Sequence, residues 1–205
     1  MGRRCSRSSF LPNAFVFPGG MVDDTDKAMP NWLTPFDYGK RFDTYFYTLD
    51  VSDNSDKEAI KIDSKSKELY EIDWYSAEEI VNRANSGQLI LPPPQAYEIR
   101  RIIENRFGNL EQLYCPLKLC PQLLDAGDKV IALLNNDFAY NHDQNSTETP
   151  MRKACSADLP SAIGTSTVNE GKTRRQLHRM IFNKKPLWSQ MKVIYCSTQQ
   201  SQQQR

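Results

Sequence analysis

Two groups of acidic residues are the first candidates for metal chemistry in this sequence. Three aspartates lie within residues 23–26, and Glu78-Glu79 is the only Glu-Glu pair in the chain. Carboxylates bind hard cations such as Mg²⁺ only when they are held in a nearly octahedral arrangement, and nothing in the sequence fixes the aspartates. Because Ser76 and Glu79 form a Ser-x-x-Glu capping box, we interpret Glu78-Glu79 as helix-start carboxylates. We therefore predict no metal ligand and no catalytic residue in either group.

A loop suited to contact with a ligand follows a short strand near the start of the chain. The alternating residues 14–17 predict a strand that ends at Phe17. Pro18 then interrupts the hydrogen-bond ladder, while Gly19 and Gly20 permit positive φ and a close approach of another molecule to the backbone. A Pro-Gly-Gly turn without a ligand is the alternative interpretation.

The sequence blocks that carry a family resemblance are spread over about residues 7–140. They are Arg7-Ser8-Ser9-Phe10-Leu11-Pro12-Asn13-Ala14 with Phe15-Val16-Phe17-Pro18-Gly19-Gly20 and Val22-Asp23-Asp24, then Asn31-Trp32-Leu33-Thr34-Pro35, Arg41-Phe42-Asp43-Thr44-Tyr45-Phe46, and Leu91-Pro92-Pro93-Pro94-Gln95 with Tyr97-Glu98-Ile99-Arg100-Arg101. Through these blocks, which occur in the family's order, the chain resembles the Nudix hydrolases and, among them, the coenzyme A and acyl-coenzyme A diphosphatases.

The catalytic element that this resemblance implies is missing from the sequence. In the family it is a glutamate-rich strand-loop-helix with Arg-Glu and then Glu-Glu, whose carboxylates hold divalent cations against a diphosphate. No Arg-Glu dipeptide occurs in the chain, and only eleven residues, 21–31, separate Gly20 from Trp32, where relatives have a long segment containing this box. Since scattered aspartates do not replace a rigid set of carboxylates, we expect hydrolysis to be weak or absent. A shortened isoform or an incomplete gene model would explain the loss.

The resemblance also implies a substrate, a cofactor and a location. The substrate would be the pyrophosphate of coenzyme A or acyl-coenzyme A, and the cofactor Mg²⁺ or Mn²⁺, although the family's ligand glutamates are not present in this chain. Mitochondria or peroxisomes are the implied compartments; the chain has no Ser-Lys-Leu terminus, and a cytoplasmic location stays open.

Substrate-binding residues are predicted from the same blocks. Arg41 lies at the mouth of a predicted strand and is a candidate phosphate contact, with an ordinary surface arginine as the alternative. The predicted binding residues are Phe17, Pro18, Gly19, Gly20, Arg41 and Gln95.

The elements that position these residues predict an α+β fold, namely an incomplete Nudix-type α/β/α sandwich with a mixed sheet and without the box helix. A helix is predicted from Ser76 to about Asn85, with Gly87 as its left-handed stop. A second helix is predicted to begin at Pro94. Its core side would carry Ile99, Ile102, Ile103 and Phe107, and its outer side Arg100, Arg101 and Arg106.

Strand patterns and composition predict the remaining organisation. Strands are expected at about 43–51, 68–75, 114–119, 129–134, 177–182 and 188–195. The predicted divisions are a partial Nudix domain at 1–140, a polar linker or long loop at 141–175, returning strands at 176–196 and a disordered Gln-rich tail at 197–205.

Charge and composition limit the function classes. The longest apolar run, 130–134, is far shorter than the ~20 residues of a membrane span, so no transmembrane segment is predicted. Five cysteines, an odd number, favour a reducing intracellular compartment. From Val168 onward there are eight basic residues against Glu170 alone, but no nucleic-acid module accompanies them and we predict no nucleic-acid partner. Two alternatives stay open: a non-catalytic binding or regulatory variant, and an interaction protein that uses its basic C-terminal third. The oligomeric state is not predicted.

Overall fold

The structure is a computed structural model that describes residues 1–8, 11–18, 31–46, 69–105, 118–143, 146–158, 167–170 and 173–195. The strands in these ranges are β1 (Gly2–Arg4), β2 (Phe15–Val16), β3 (Asn31–Leu33), β4 (Asp43–Tyr45), β5 (Leu69–Ile72), β6 (Gln122–Ala126), β7 (Lys129–Leu133), β8 (Arg152–Lys153), β9 (Thr167–Glu170), β10 (Thr173–Gln176), β11 (Arg179–Asn183) and β12 (Lys192–Ile194). The α-helices are α1 (Ala77–Asn85) and α2 (Pro93–Asn105).

The largest sheet of the described residues has five strands in the order β12-β11-β7-β6-β8. All of its neighbours are antiparallel except β6 and β8, which are parallel. The directly opposed Leu123, Ala132 and Met180 face the main core, whereas Leu124 and Ile131 face a second apolar cluster. Burial on both faces explains why these strands are rich in Val, Ile and Leu. The prediction of an α+β fold with a mixed sheet is confirmed.

Smaller sheets pack the N-terminal part of the chain onto this core. Strands β2, β1 and β5 form a three-stranded sheet, and β3 pairs with β4. The Phe15 amide donates to the Ile90 carbonyl at 2.9 Å, which connects β2 to the segment before α2. The Leu33 amide donates to the Leu119 carbonyl at 2.9 Å and connects β3 to the segment before β6. Strands that are distant in sequence are thus gathered around α2.

Helix α1 follows its predicted capping chemistry. The Ser76 hydroxyl accepts a hydrogen bond from the Glu79 amide at 3.1 Å, as the capping box requires. After Asn85, Gly87 has a φ of +75°, the left-handed conformation that ends many helices. Both predicted ends of this helix are confirmed. Neither α-helix of the described ranges is long and apolar enough to cross a membrane.

The predicted outer face of α2 is partly wrong. Ile99 is buried as predicted, but Arg101 is also buried, with 8% of its surface exposed, and Arg100 is half-buried. Arg101 is buried because its guanidinium pairs with Glu98, three residues earlier on the same helix. Phe107 and Arg106 lie outside the described residues.

Several strand predictions fall on or near described strands. Residues 129–133 form β7 as expected, β11 and β12 lie within or beside the two C-terminal predictions, and β6 was not predicted. The described part of the strand predicted at 43–51 contains β4, and β5 occupies only residues 69–72 of the strand predicted at 68–75. Between residues 141 and 176 the structure describes two 3₁₀ turns, Ser146–Glu148 and Ser156–Asp158, as well as β8, β9 and β10. The tail at 197–205 lies outside the described residues.

Candidate ligand-binding site

A buried polar cluster joins two of the blocks that carry the family resemblance. The Trp32 indole on β3 donates to Glu98 Oε1 on α2 at 2.9 Å, and Arg101 donates to the other carboxylate oxygen at 2.7 Å. Burial raises the pKa of Glu98, while the charge of Arg101 and the hydrogen bond from Trp32 act in the opposite direction. Since each carboxylate oxygen already accepts a hydrogen bond inside the protein, the cluster holds β3 against α2 rather than facing a substrate.

A second buried contact connects α2 to the five-stranded sheet. The Tyr97 hydroxyl lies 2.8 Å from His178 Nε2, and His178 Nδ1 lies 2.6 Å from the Asn135 carbonyl. A carbonyl oxygen only accepts hydrogen bonds, so Nδ1 carries the proton and Nε2 accepts from Tyr97. Burial lowers the pKa of His178, which favours this neutral form. His178 is fully buried, so its role is structural.

Arg41 is half-buried and contacts the loop around Thr147. Its Nε donates to the Thr34 carbonyl at 2.9 Å and one terminal nitrogen donates to the Thr147 carbonyl at 2.7 Å. The Phe36 ring lies below the guanidinium, 6.0 Å from its carbon to the ring centroid. Together with a longer hydrogen bond to the Cys120 sulfur at 3.8 Å, the two hydrogen bonds to carbonyls use three of the five donors of a guanidinium and fix its plane. The arrangement is compatible with a further contact to a phosphate, as the sequence predicts.

Phe17 and Pro18 lie at the end of β2, where the sequence predicts ligand contact. The half-buried Phe17 ring packs edge-to-face against Phe46, with 5.7 Å between the ring centroids, and Pro18 is exposed. This contact brings the block around residue 17 together with the block that begins at Arg41. Gly19 and Gly20 lie outside the described residues.

Gln95 lies in the first turn of α2, one residue before the buried Ala96. The side chain is half-buried, and its Oε1 atom is buried without a hydrogen-bond partner within the described part of the chain. A buried acceptor without a partner is unfavourable unless another molecule supplies a donor. The predicted role of Gln95 as a ligand contact remains a prediction that this orphan acceptor favours.

The described carboxylates do not fit the divalent cation that the family resemblance implies. Glu78 and Glu79 are exposed at the start of α1, and Glu79 lies 3.7 Å from Arg83 in an ion pair. Within the ranges that the structure describes, no group of three or more His, Cys, Asp and Glu residues could hold a metal ion. The three aspartates at 23–26 lie outside those ranges. No reaction step through a metal ion follows from the described geometry.

The structure brings some of the predicted site residues together and leaves others apart. Phe17, Trp32 and Phe46 pack in one apolar cluster with Tyr97, which follows Gln95 by two residues. The described hydrogen bonds of Arg41 run to Thr34, Thr147 and Cys120 instead. Sequence reasoning missed Glu98 as a buried residue, although its spacing of four from Ile102 places it on the apolar side of the helix.

A comparison with known proteins finds a relative whose alignment covers most of this chain. Putative nudix hydrolase 7 of Caenorhabditis elegans is 24% identical over 260 aligned positions, which cover 94% of this chain and 83% of the worm protein. Because 260 aligned positions exceed the 205 residues of this chain, the alignment must contain gaps on this side. The worm protein therefore has residues within the aligned region that this chain does not have.

Vertebrate relatives match a shorter part. Human acyl-coenzyme A diphosphatase NUDT19 is 31% identical over 134 residues, which cover 58% of this chain and 33% of the human protein. The Xenopus laevis protein of the same name is 28% identical over 165 residues, which cover 74% of this chain and 39% of the frog protein. The chain thus spans little more than a third of the length of these two relatives. No family profile and no solved structure matches the chain.

Proposed function

Because this chain is related to the Nudix superfamily and, within it, to the NUDT19-type proteins, we propose that it binds coenzyme A or acyl-coenzyme A and hydrolyses their pyrophosphate weakly or not at all. The ligand class comes from the printed names of the vertebrate relatives, which are acyl-coenzyme A diphosphatases. The expected loss of hydrolysis comes from this chain's own residues.

One observation carries the proposal of weak hydrolysis. The only Glu-Glu pair of the chain is exposed at the capped start of α1, where Glu79 pairs with Arg83. Hydrolysis of a pyrophosphate through Mg²⁺ or Mn²⁺ needs several carboxylates fixed around the cation. A helix cap with an exposed glutamate pair does not provide that arrangement. The gaps on this chain's side of the worm alignment support a lost segment, which we place between Gly20 and Asn31.

Ligand binding is proposed for the residues that the family blocks supply. Arg41 would contact a phosphate, because its hydrogen bonds to Thr34 and Thr147 orient the guanidinium and use only part of its donor capacity. Gln95 would supply an acceptor, and Phe17 to Gly20 would supply the adjoining backbone. This variant would therefore retain binding while it lacks the carboxylates for catalysis. A mitochondrial or peroxisomal location is proposed from the same relationship.

The experiment measures binding and turnover on the same preparation of the complete 205-residue chain. Calorimetric titration with coenzyme A should give saturable binding. Incubation with an acyl-coenzyme A and Mg²⁺ or Mn²⁺ should release adenosine bisphosphate at least about a hundredfold more slowly than human acyl-coenzyme A diphosphatase NUDT19 does in parallel, since metal catalysis contributes several kcal/mol. EDTA should leave any residual rate unchanged.

Two results would contradict this proposal in different ways. Turnover that matches human acyl-coenzyme A diphosphatase NUDT19 and disappears with EDTA would show that the chain holds a competent metal site. Absence of calorimetric binding to both coenzyme A and an acyl-coenzyme A would remove the ligand class and favour an interaction protein.

Within the basic C-terminal third, Arg179 and Lys184 already pair with Asp137 and Asp125, so these two charges are not free for a partner.

A further inference from the structure

A groove of about 210 Å³ lies between the loop that joins β3 to β4, one face of the five-stranded sheet and the loop that joins β11 to β12. Its floor is apolar, with the buried side chains of Leu123, Phe182 and Trp188. Two further apolar side chains line the groove and are partly exposed, Met151 with 41% of its surface and Leu187 with 48%. Exposed, adaptable apolar side chains beside an apolar concave floor are typical of a ligand site.

The charged residues that line the groove already have partners. Asp37 Oδ1 accepts a hydrogen bond from the Met151 amide at 2.8 Å. Lys184 Nζ donates to Asp125 Oδ1 at 2.6 Å. The groove therefore offers apolar contact rather than recognition of an ion, so an uncharged apolar group fits it better than a phosphate does.

One wall of the groove is held in an unusual backbone conformation. Trp188 has a φ of 59° and Gln190 a φ of 52°, values that glycine adopts easily but that are costly for residues with a side chain. The Trp188 amide donates to the Asn183 carbonyl at 3.0 Å, and the Gln190 side chain donates to the Asn85 carbonyl at 2.8 Å. Strained residues persist where their surroundings fix them, and they concentrate at ligand sites. The wall is thus preformed.

The groove shares its supporting segments with Arg41. Asp37 and Arg41 belong to the same loop, and their partners Met151 and Thr147 belong to one facing segment. Asp37 and Arg41 are four residues apart, a separation of at most about 14 Å even in an extended chain. A ligand with phosphates at Arg41 and an apolar chain on a flexible linker that bends back can therefore reach the groove.

We propose that this groove binds the acyl chain of an acyl thioester whose phosphates lie at Arg41. The inference rests on the proposed function, because it assigns the acyl end of the proposed ligand to a place in the structure. At about 30 Å³ for each group of the size of a water molecule, the groove holds about seven methylene-sized groups. An octanoyl group, which has seven carbons beyond its carbonyl carbon, therefore fits.

The test compares three probes by calorimetry on the complete chain: coenzyme A, octanoyl-coenzyme A and S-octanoyl-N-acetylcysteamine, a neutral thioester without phosphates. Octanoyl-coenzyme A should bind at least about tenfold more tightly than coenzyme A, because burial of one methylene strengthens binding about fourfold. The neutral thioester should bind weakly, at the groove alone.

Three variants separate the groove from the rest of the molecule. Leu187→Glu places a charge at an exposed position of the groove, and Val130→Phe fills part of it. Both should remove the tenfold advantage of the octanoyl ligand and leave the affinity for coenzyme A unchanged. Trp74→Glu is the matched control, because Trp74 is 65% exposed and does not line the groove. It should bind all three probes as the parent chain does, and thermal unfolding checks that each variant is folded.

The outcomes distinguish this inference from the proposed function. Equal affinities for coenzyme A and octanoyl-coenzyme A in the parent chain overturn the groove and leave the proposed function intact. Weak binding of the neutral thioester that Leu187→Glu abolishes, without any binding of coenzyme A, supports the groove and overturns the proposed function. An octanoyl advantage that survives both groove variants overturns the assignment of the acyl chain to this groove.

Discussion

Arg179 on β11 and Arg41 in the β3–β4 loop are both held by several hydrogen bonds, but Arg179 donates to a carboxylate and Arg41 to backbone carbonyls. Arg179 is 1% exposed and donates to both oxygens of Asp137, at 2.7 and 2.6 Å. Half-buried Arg41 donates to the carbonyls of Thr34 and Thr147, which are neutral. A bidentate carboxylate neutralises the buried charge, whereas carbonyls orient a guanidinium and leave its charge uncompensated. The comparison favours a folding role for Arg179, and the contact of Arg41 with an anionic ligand stays a prediction.

The largest effect is expected at Arg179. Arg179→Leu leaves Asp137 as a buried carboxylate without its partner, and we expect the free energy of unfolding to fall by about 3–5 kcal/mol. Urea unfolding followed by circular dichroism measures this loss. Arg41→Leu, the matched change, should cost less than half as much, because it leaves carbonyls rather than a buried charge. Equal losses for the two variants would contradict the comparison.

Substitution of Arg41 should change ligand affinity more than it changes stability. Arg41→Gln should weaken coenzyme A binding by about tenfold or more, since a hydrogen bond to a charged group contributes about 1.5–3 kcal/mol. Calorimetric titration measures the change, and Arg41→Lys should restore part of the affinity because it retains the charge. Lys192→Gln, on β12, is the control and should bind as the parent chain does. An unchanged affinity in Arg41→Gln would exclude the phosphate contact.

The pH dependence of stability sharpens the assignment of the Arg179 region to folding. The His178 amide donates to Asp137 at 2.9 Å, and burial lowers the pKa of the imidazole. In the unfolded chain the imidazole takes up a proton below a pKa of about 6.5, whereas the folded chain resists it, so stability decreases as pH falls through that value. We expect a loss of about 1 kcal/mol between pH 8 and 5.5, measured by urea unfolding.

A matched control for this titration exists in the chain. The only other histidine, His142, is exposed, and a His142→Gln variant should keep the full pH response. A His178→Gln variant should lose the component that begins near pH 6.5. If instead His142→Gln removes the response, the buried imidazole is not its source.

The smallest loss of stability is expected at a third arginine, Arg83, which shows how much an exposed ion pair contributes. Arg83 pairs with Glu79 at 3.7 Å on the exposed side of α1. Exposed pairs four residues apart contribute about 0.3–0.5 kcal/mol, and the guanidinium also lies 5.4 Å from the centroid of the Tyr75 ring, so Arg83→Gln should lower stability by no more than about 1 kcal/mol. Urea unfolding in low and high salt measures it, and salt should reduce the difference further. A loss above about 1 kcal/mol would mean that surface pairs cannot serve as the reference.

The sequence predicted features whose causes are local. The Ser76 cap and the Gly87 stop of α1 depend on residues within one helical turn, and β7 is recognised from a continuous apolar run within a single strand. The contact between Trp32 and Glu98 joins partners 66 residues apart, so periodicity alone could not predict it. The burial of Arg101 follows from its ion pair with this buried carboxylate, three residues earlier on the helix. Strand β6 was missed because its neighbours β7 and β8 supply the pairing that makes it a strand.

The candidate site shows the same division. Family blocks indicated Arg41 and Phe17, and the structure describes how Thr34 and Phe46 hold them. The groove beside Trp188 could not be predicted, because its walls come from three segments that meet only in the folded chain. Its strained φ at Trp188 has no signal in the sequence, since a tryptophan does not favour a left-handed backbone.

The phosphorus NMR spectrum of coenzyme A with Mg²⁺ and the complete chain tests the central claim most directly, because it reports binding and cleavage in one sample. We predict that the pyrophosphate resonances shift or broaden in proportion to added protein and that no new phosphate monoester resonance appears over hours. New monoester resonances that grow within hours and stop growing with EDTA would contradict the account, as would pyrophosphate resonances that do not respond to the protein.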